Sequence, residues 1–130
     1  MNIGEAAAAT GLPAKTIRYY ESVGLVEPSR SSGNYRRYDE RDVATLRFIH
    51  QARSLGFSVK EVAALVALWR DRRRASADVR RLATKHLTEI DERIADLQRV
   101  RRTLVGLIER CHGDHRPDCP ILDELAEAKN

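Results

Sequence analysis

"TGLPAKTIRYYESVGLVEPSRSSGNYRRY", residues 10–38, decides how the first half of the chain folds. Thr10-Gly11 ends one short helical pattern, and Pro13 can open the next from its first turn, where its missing N–H costs nothing. "AKTIRYYESV" then runs without a breaker to Gly24. Upstream, Asn2 with Glu5 three positions later makes a capping-box start for a helix over residues 3–9. Two short helices joined by a Gly-containing turn form a helix-turn-helix. A plain helical hairpin with no nucleic-acid role shares that pattern.

Downstream the period changes. Leu25 and Val26 are β-prone, Pro28 and a serine-rich turn intervene, and Gly33-Asn34 suits a tight hairpin with Gly at the first central position. "YRRY" then makes a short strand, so this stretch reads as a two-stranded wing. Asp39 caps a third helix running to Leu55-Gly56. Ser58 and Glu61 form an S-x-x-E box, with Phe57 and Val62 at staple spacing. That fourth helix ends near Trp69-Arg70, and "DRRRA", residues 71–75, follows as a basic connector.

From Ser76 a seven-residue period takes over. Ala83, Ile90, Leu97 and Leu104 recur on it, Leu87, Ile94 and Ile108 lie four residues on, and Val100 and Leu107 fill the flank. This is a heptad seam. One helix over residues 76–110 would be roughly 50 Å long. Its narrow apolar stripe needs a partner helix, most simply a second copy. The dimerisation residues are then Ala83, Ile90, Ile94, Leu97, Leu104 and Ile108. Ser76 and Cys111 fall on the same seam at opposite ends. An antiparallel pair would bring Ser76 of one chain to Cys111 of the other; a parallel pair would bring Cys111 to Cys111. The spacing alone does not choose.

The expected fold class is therefore mostly α. A winged helix-turn-helix domain (residues 1–70) and the connector (71–75) lead into a dimerisation helix (76–110), then a loop with a short C-terminal helix (111–130). Aromatic content of 5% means that aliphatic helix packing must dominate the core. "MNIGEAAAAT" has no basic region of a secretory signal, and the longest apolar run, "VAALVALW" at 62–69, is far too short for a membrane span. The chain is expected in the cytoplasm, off the membrane, with its thiols reduced. No nucleophile–base pair or open catalytic metal site is visible, so no enzymatic activity is expected.

Charge is uneven. Residues 1–75 hold 13 Lys/Arg against 8 Asp/Glu, a net of +5, whereas residues 76–130 hold 10 against 11. A basic front half suits a polyanion such as double-stranded DNA. Lys15, Arg18 and Tyr19 share a helix face, with Tyr20 beside them, and can reach phosphates or base edges. Arg36 and Arg37, bracketed by Tyr35 and Tyr38, would let the wing grip the backbone. Arg53 is a further phosphate candidate.

The back half carries "CHGDHRPDCP", residues 111–120, which holds both cysteines of the chain. A reducing compartment disfavours a disulfide, and a spacing of eight positions between the thiols rules out a C-x-x-C redox pair. A metal loop remains. Thiolates are soft ligands for Cu(I), Zn(II) and similar ions. His112 and His115 could complete a four-ligand zinc set. Two thiolates alone would suit a two-coordinate monovalent ion such as Cu(I) or Ag(I).

"TGLPAKTIRYYESVGLVEP" followed by "NYRRYDERDVATLRFIHQARSLGFSVKEV" resembles the MerR family of winged-helix transcription regulators. One departure is the wing turn, Gly33-Asn34-Tyr35-Arg36, where the family often has Asn-Gly-Tyr-Arg. The resemblance implies a homodimer held by an antiparallel coiled coil, with Ser76 facing the partner's metal loop. It also implies binding to a palindromic operator between promoter elements, which the ligand-bound form distorts so that RNA polymerase can use them.

"C-x-G-D…D-C-P-I" further resembles the copper-efflux regulators of the CueR and HmrR kind, which respond to Cu(I), Ag(I) and Au(I). In these the two loop cysteines, here Cys111 and Cys119, are the ligands, and the position matching Ser76 is serine. Mercury, zinc and lead sensors carry cysteine there. His112 and His115 are not general features of the subgroup and are expected around the site rather than on the ion, as is Ser76. A bis-thiolate complex of a monovalent ion carries a net negative charge, costly to bury. Pro120 opens a short helix and makes Cys119 its N-cap, and Ser76 is expected to cap the long helix; both helix N-termini favour an anion. A zinc-responsive or other divalent-metal regulator is the alternative within the class, and a metal-buffering protein the alternative outside it.

Overall fold

Three helix starts follow from local hydrogen bonds in the computed structural model, which describes residues 1–127. Asn2 Oδ1 accepts from the Glu5 N–H at 2.8 Å while Glu5 Oε1 accepts from the Asn2 N–H at 3.1 Å, opening α1 (Ile3–Thr10). Asp39 and Asp42 make the same exchange before α3 (Glu40–Ser54), and Ser58 and Glu61 before α4 (Val59–Arg70). Each box satisfies two backbone N–H groups that the helix leaves unpaired. The Asp42 N–H holds the Asp39 carboxyl below its usual range, whereas burial pushes Asp42 up. Gly11, at φ 74, closes α1 in the left-handed region that glycine enters without strain. Pro13 is the N-cap of α2 (Ala14–Ser22), one place before the expected first turn.

β1 (Ser29–Arg30) and β2 (Arg36–Arg37) pair antiparallel, Ser29 with Arg37 and Arg30 with Arg36. The turn differs from the two-residue hairpin read from Gly33-Asn34. Ser31 accepts from the Asn34 N–H at 2.9 Å and donates to the Tyr35 carbonyl at 2.8 Å. This makes a three-residue loop, and its left-handed residue is Asn34, at φ 61, rather than Gly33. Gly33 is needed for another reason: a Cβ there would lie 3.1 Å from the Tyr35 ring.

The chain divides into two compact units, Met1–Leu82 and Ala83–Asn130. In the first, α1 packs on α2 and α3, and α3 packs on α4. Ile17, Leu25, Val26, Leu46, Ile49 and Val62 fill the core. Two residues expected on the DNA surface are in it. Tyr20 is 6% exposed because it follows Ile17 by three residues on the inward face of α2. Tyr38 is 1% exposed; its backbone exchanges hydrogen bonds with Met1 at 2.7 and 2.8 Å, which turns the ring inward as the wing ends. Arginines tie the helices together: Arg47 donates to the Ala9 carbonyl at 3.1 Å and Arg70 to Thr45 Oγ1 at 3.0 Å.

α5 (Ser76–Arg110) begins in the first unit and runs through the second. Ser76 is its first residue rather than its cap. In the second unit, Leu87, Ile94, Leu97, Val100, Leu104 and Ile108 are exposed along α5, and Ala83 with them, while Ile90 is half-buried. Leu107 is buried. After the loop, α6 (Pro120–Ala126) has Pro120 in its first turn and Cys119 as N-cap. Among the described residues no helix is long and apolar enough to cross a membrane.

Candidate nucleic-acid interface and thiol loop

The outward face of α2 presents Lys15, Arg18 and Tyr19, all exposed, with Ile17 and Tyr20 anchoring the opposite face. The hairpin beside it carries Tyr35, 76% exposed, and Arg37 on the surface. Between helix and wing lies a cleft of about 220 Å³ lined by Asn2, Ile3, Arg18, Arg30, Asn34, Tyr35 and Arg36. Three guanidiniums around one small cleft are suited to an anion, and arginine forks match phosphate oxygens in geometry as well as charge.

Glu21 organises this cleft. Its Oε1 accepts from Arg30 Nη2 at 2.9 Å, and its Oε2 accepts from Arg36 Nε. That hydrogen bond holds the Arg36 guanidinium above its already high pKa, so it is charged at any physiological pH. Arg36 is therefore half-buried and partnered within the protein rather than a free surface cation. Arg53 is likewise engaged: its Nη1 donates to the Phe57 carbonyl at 2.7 Å and closes the turn between α3 and α4. Arg30 and Glu21 were not among the residues singled out from sequence. The available signals were the position of Glu21 three residues after Arg18 on α2 and of Arg30 across the hairpin from Arg36.

In the second unit Cys111 and Cys119 are free thiols, each half-buried, at the two ends of one loop. The Cys111 N–H donates to the Ile108 carbonyl at 3.1 Å as α5 ends. Gly113 turns the chain at φ 63. Asp114 then accepts from both the backbone N–H and Nε of Arg116, at 2.9 and 2.8 Å. His112 and His115 are exposed on this turn. The Cys119 side chain makes no capping hydrogen bond, so its sulfur is not committed to α6, and its carbonyl accepts from the Asp123 N–H at 2.9 Å. Two uncommitted, partly shielded thiols fit a soft d¹⁰ ion; the imidazoles do not share their shielding.

Comparison with known proteins identifies the family of the helix-turn-helix, wing and long helix. The profile described as MerR HTH family regulatory protein matches residues 1–68, and that described as MerR, DNA binding matches residues 43–107. The chain is 56% identical over 127 residues to the HTH-type transcriptional regulator HmrR of Rhizobium leguminosarum bv. viciae, covering 98% of each chain. It is 44% identical to the HTH-type transcriptional regulator CueR of Salmonella typhimurium, covering 97% of this chain and 92% of that one. Among solved structures it is similar to the transcription regulator PbrR691 from Ralstonia metallidurans CH34 in complex with lead(II). There the TM-score is 0.86 at 32% identity, covering 96% of this chain and 98% of that one. The helix-turn-helix, wing and long helix are thus those of a transcription regulator, not an enzyme, and the chain belongs to the MerR family.

Proposed function

We propose that this chain is a Cu(I)-responsive transcriptional activator, responding also to Ag(I) and Au(I), that binds a palindromic promoter site as a homodimer. In this reading residues 1–70 hold the DNA and residues 71–75 connect them to the dimerisation helix. Residues 111–130 sense the metal. Lys15, Arg18, Tyr19 and Tyr35 contact DNA, with Arg36 and Arg37 from the wing and Arg53 at the backbone. The metal-bound dimer distorts the promoter so that RNA polymerase can use it, and copper efflux or detoxification genes are switched on.

The observation that carries the metal reading is the pair of half-buried free thiols, Cys111 and Cys119, flanking a loop whose histidines are exposed. Cys111 and Cys119 would hold the ion as thiolates. Ser76 supports monovalent selectivity, since its hydroxyl adds no third thiolate for a divalent ion. Ser76 starts a 35-residue helix and Cys111 follows its end, so about 50 Å of helix separates them. Ser76 can line the site only if a second chain runs antiparallel. The exposed apolar stripe of α5 supports pairing with a second helix, and the resemblance to the MerR family supports its antiparallel direction. The resemblance of the Cys111–Cys119 loop to copper-efflux regulators of the CueR and HmrR kind supports the copper assignment, and the 56% and 44% identities to HmrR and CueR support placing the chain among such regulators.

The similarity to a regulator solved with lead(II) favours, as a second reading, response to a divalent ion such as zinc through His112 and His115. Promoter activation in vitro across Cu(I), Ag(I), Zn(II) and Hg(II) separates the two. Copper induction should vanish in Cys111→Ser and in Cys119→Ser while promoter binding persists; continued induction would overturn the assignment. His112→Ala with His115→Ala should leave the Ag(I) and Cu(I) responses intact.

A further inference from the structure

Glu21 holds two wing arginines on one carboxylate, Arg30 through Oε1 and Arg36 through Oε2. The carboxylate side chain is only 17% exposed, so water competes weakly for it. The wing has little else to fix its angle. Each strand is two residues long, and an isolated two-stranded hairpin is marginal in water. Met1 ties down the end of the hairpin at Tyr38; Glu21 ties its middle to α2. Arg18, on the same helix, has no ion-pair partner among the described residues and shares the cleft with Arg30 and Arg36. One cation of the cleft is thus free of an ion pair, and the other two are bound to a protein carboxylate, which uses N–H donors of the kind a phosphate would take.

We propose that Glu21 is a positioning residue for DNA recognition, which locks the wing to α2 and withholds Arg30 and Arg36 from indiscriminate phosphate contact. Sequence preference is kept and raw affinity is given up. This inference rests on the DNA-binding reading above. A wing free to swing its arginines onto any backbone would gain affinity everywhere and lose the register that base contacts need.

The test uses the full-length protein and two probes, a random-sequence duplex and a duplex that the unaltered protein selects from a random pool. Glu21→Gln removes the charge and keeps the shape. Binding to the random duplex should then tighten several-fold, and its log–log salt slope should steepen by about 1 to 2, one phosphate for each released arginine. The ratio of selected to random affinity should fall roughly tenfold. Glu21→Asp, which keeps the charge at shorter reach, should recover part of that ratio. Adding Arg30→Gln to Glu21→Gln should take back about one unit of the steepening.

A purely architectural role predicts lower thermal stability with both affinities falling together and no steeper slope, and that result overturns the proposal. So does an unchanged slope and ratio in Glu21→Gln, or no recovery at all in Glu21→Asp. Failure of the unaltered protein to select any sequence would instead remove the DNA-binding reading beneath it.

Discussion

Phe48 on α3 and Trp69 on α4 stack face to face, with ring centroids 4.5 Å apart and planes 7° from parallel. The pair joins two helices that the Arg70–Thr45 hydrogen bond also links, and Trp69 remains 41% exposed. Stacked aromatic pairs contribute about 1 kcal/mol beyond their buried area. Phe48→Leu should therefore lower the unfolding free energy by about 1 to 2 kcal/mol. Trp69 is the single tryptophan, so its emission during urea titration reports this contact directly. A midpoint unchanged from the parent would show that the stack adds nothing.

Tyr38 buries its hydroxyl with no hydrogen-bond partner among the described residues. Burial, reinforced by the nearby Glu21 charge, pushes its pKa above the ordinary tyrosine value. The sign follows from linkage. A folded pKa raised above the unfolded one adds stability that is present below the unfolded pKa, near 10, and is lost as pH rises through the folded value. Tyr38→Phe should be as stable as the parent at neutral pH, or more so by up to about 1 kcal/mol, since it removes an unsatisfied polar group. It should also lose less stability than the parent at alkaline pH. Urea unfolding at both extremes reads both effects. A loss of about 2 kcal/mol or more at neutral pH would show that the hydroxyl has a partner after all.

The positions legible in sequence are those decided within a few residues. The boxes at Asn2 and Ser58 and the cap at Asp39 are decided by residues three apart, so pattern and structure coincide there, and the structure adds Asp42 as the second half of the Asp39 box. The heptad stripe of α5 is legible for the same reason, because spacing alone sets which side chains share a face. What the pattern missed depends on partners far along the chain. Tyr38 reads as half of an aromatic–basic surface cluster, yet pairing with Met1 turns it inward. Arg36 reads as free, yet Glu21, fifteen residues away, holds it. Arg53 reads as a phosphate ligand, yet its guanidinium also serves a backbone carbonyl. In the thiol loop the cysteines are identifiable from their number and spacing, but the exposure of His112 and His115 needed the turn geometry at Gly113 and Asp114.

Ser58 offers a clean measure of one local contact. Its Oγ accepts from the Glu61 N–H at 3.1 Å, and Glu61 Oε1 accepts from the Ser58 N–H at 2.8 Å. Ser58→Ala leaves the first turn of α4 without its acceptor and should cost about 1 kcal/mol, whereas Ser58→Gly should cost only a few tenths. Chemical denaturation of the two variants beside the parent gives the comparison. An alanine variant as stable as the parent would mean that the cap contributes no net stability.

Leu97, 68% exposed, sits near the middle of the α5 stripe, with Ile94, Leu104 and Ile108 exposed along the same helix. None of these belongs to the core of the first unit, so their burial requires another surface. Burying one leucine contributes roughly 1.5 to 3 kcal/mol, and a symmetric pair of helices buries each twice. Leu97→Glu replaces that gain with two carboxylates in an apolar seam. It should weaken self-association by at least about 100-fold, since 1.4 kcal/mol is worth a factor of ten. Sedimentation equilibrium at micromolar concentration should show the parent as a dimer and the variant as a monomer. Unfolding of α1–α4, followed by Trp69 emission, should start from the same folded signal in both, because Leu97 lies outside that core. A variant that still sediments as a dimer would mean that the stripe is not the seam, and the antiparallel route by which Ser76 reaches a partner's Cys111 would lose its support.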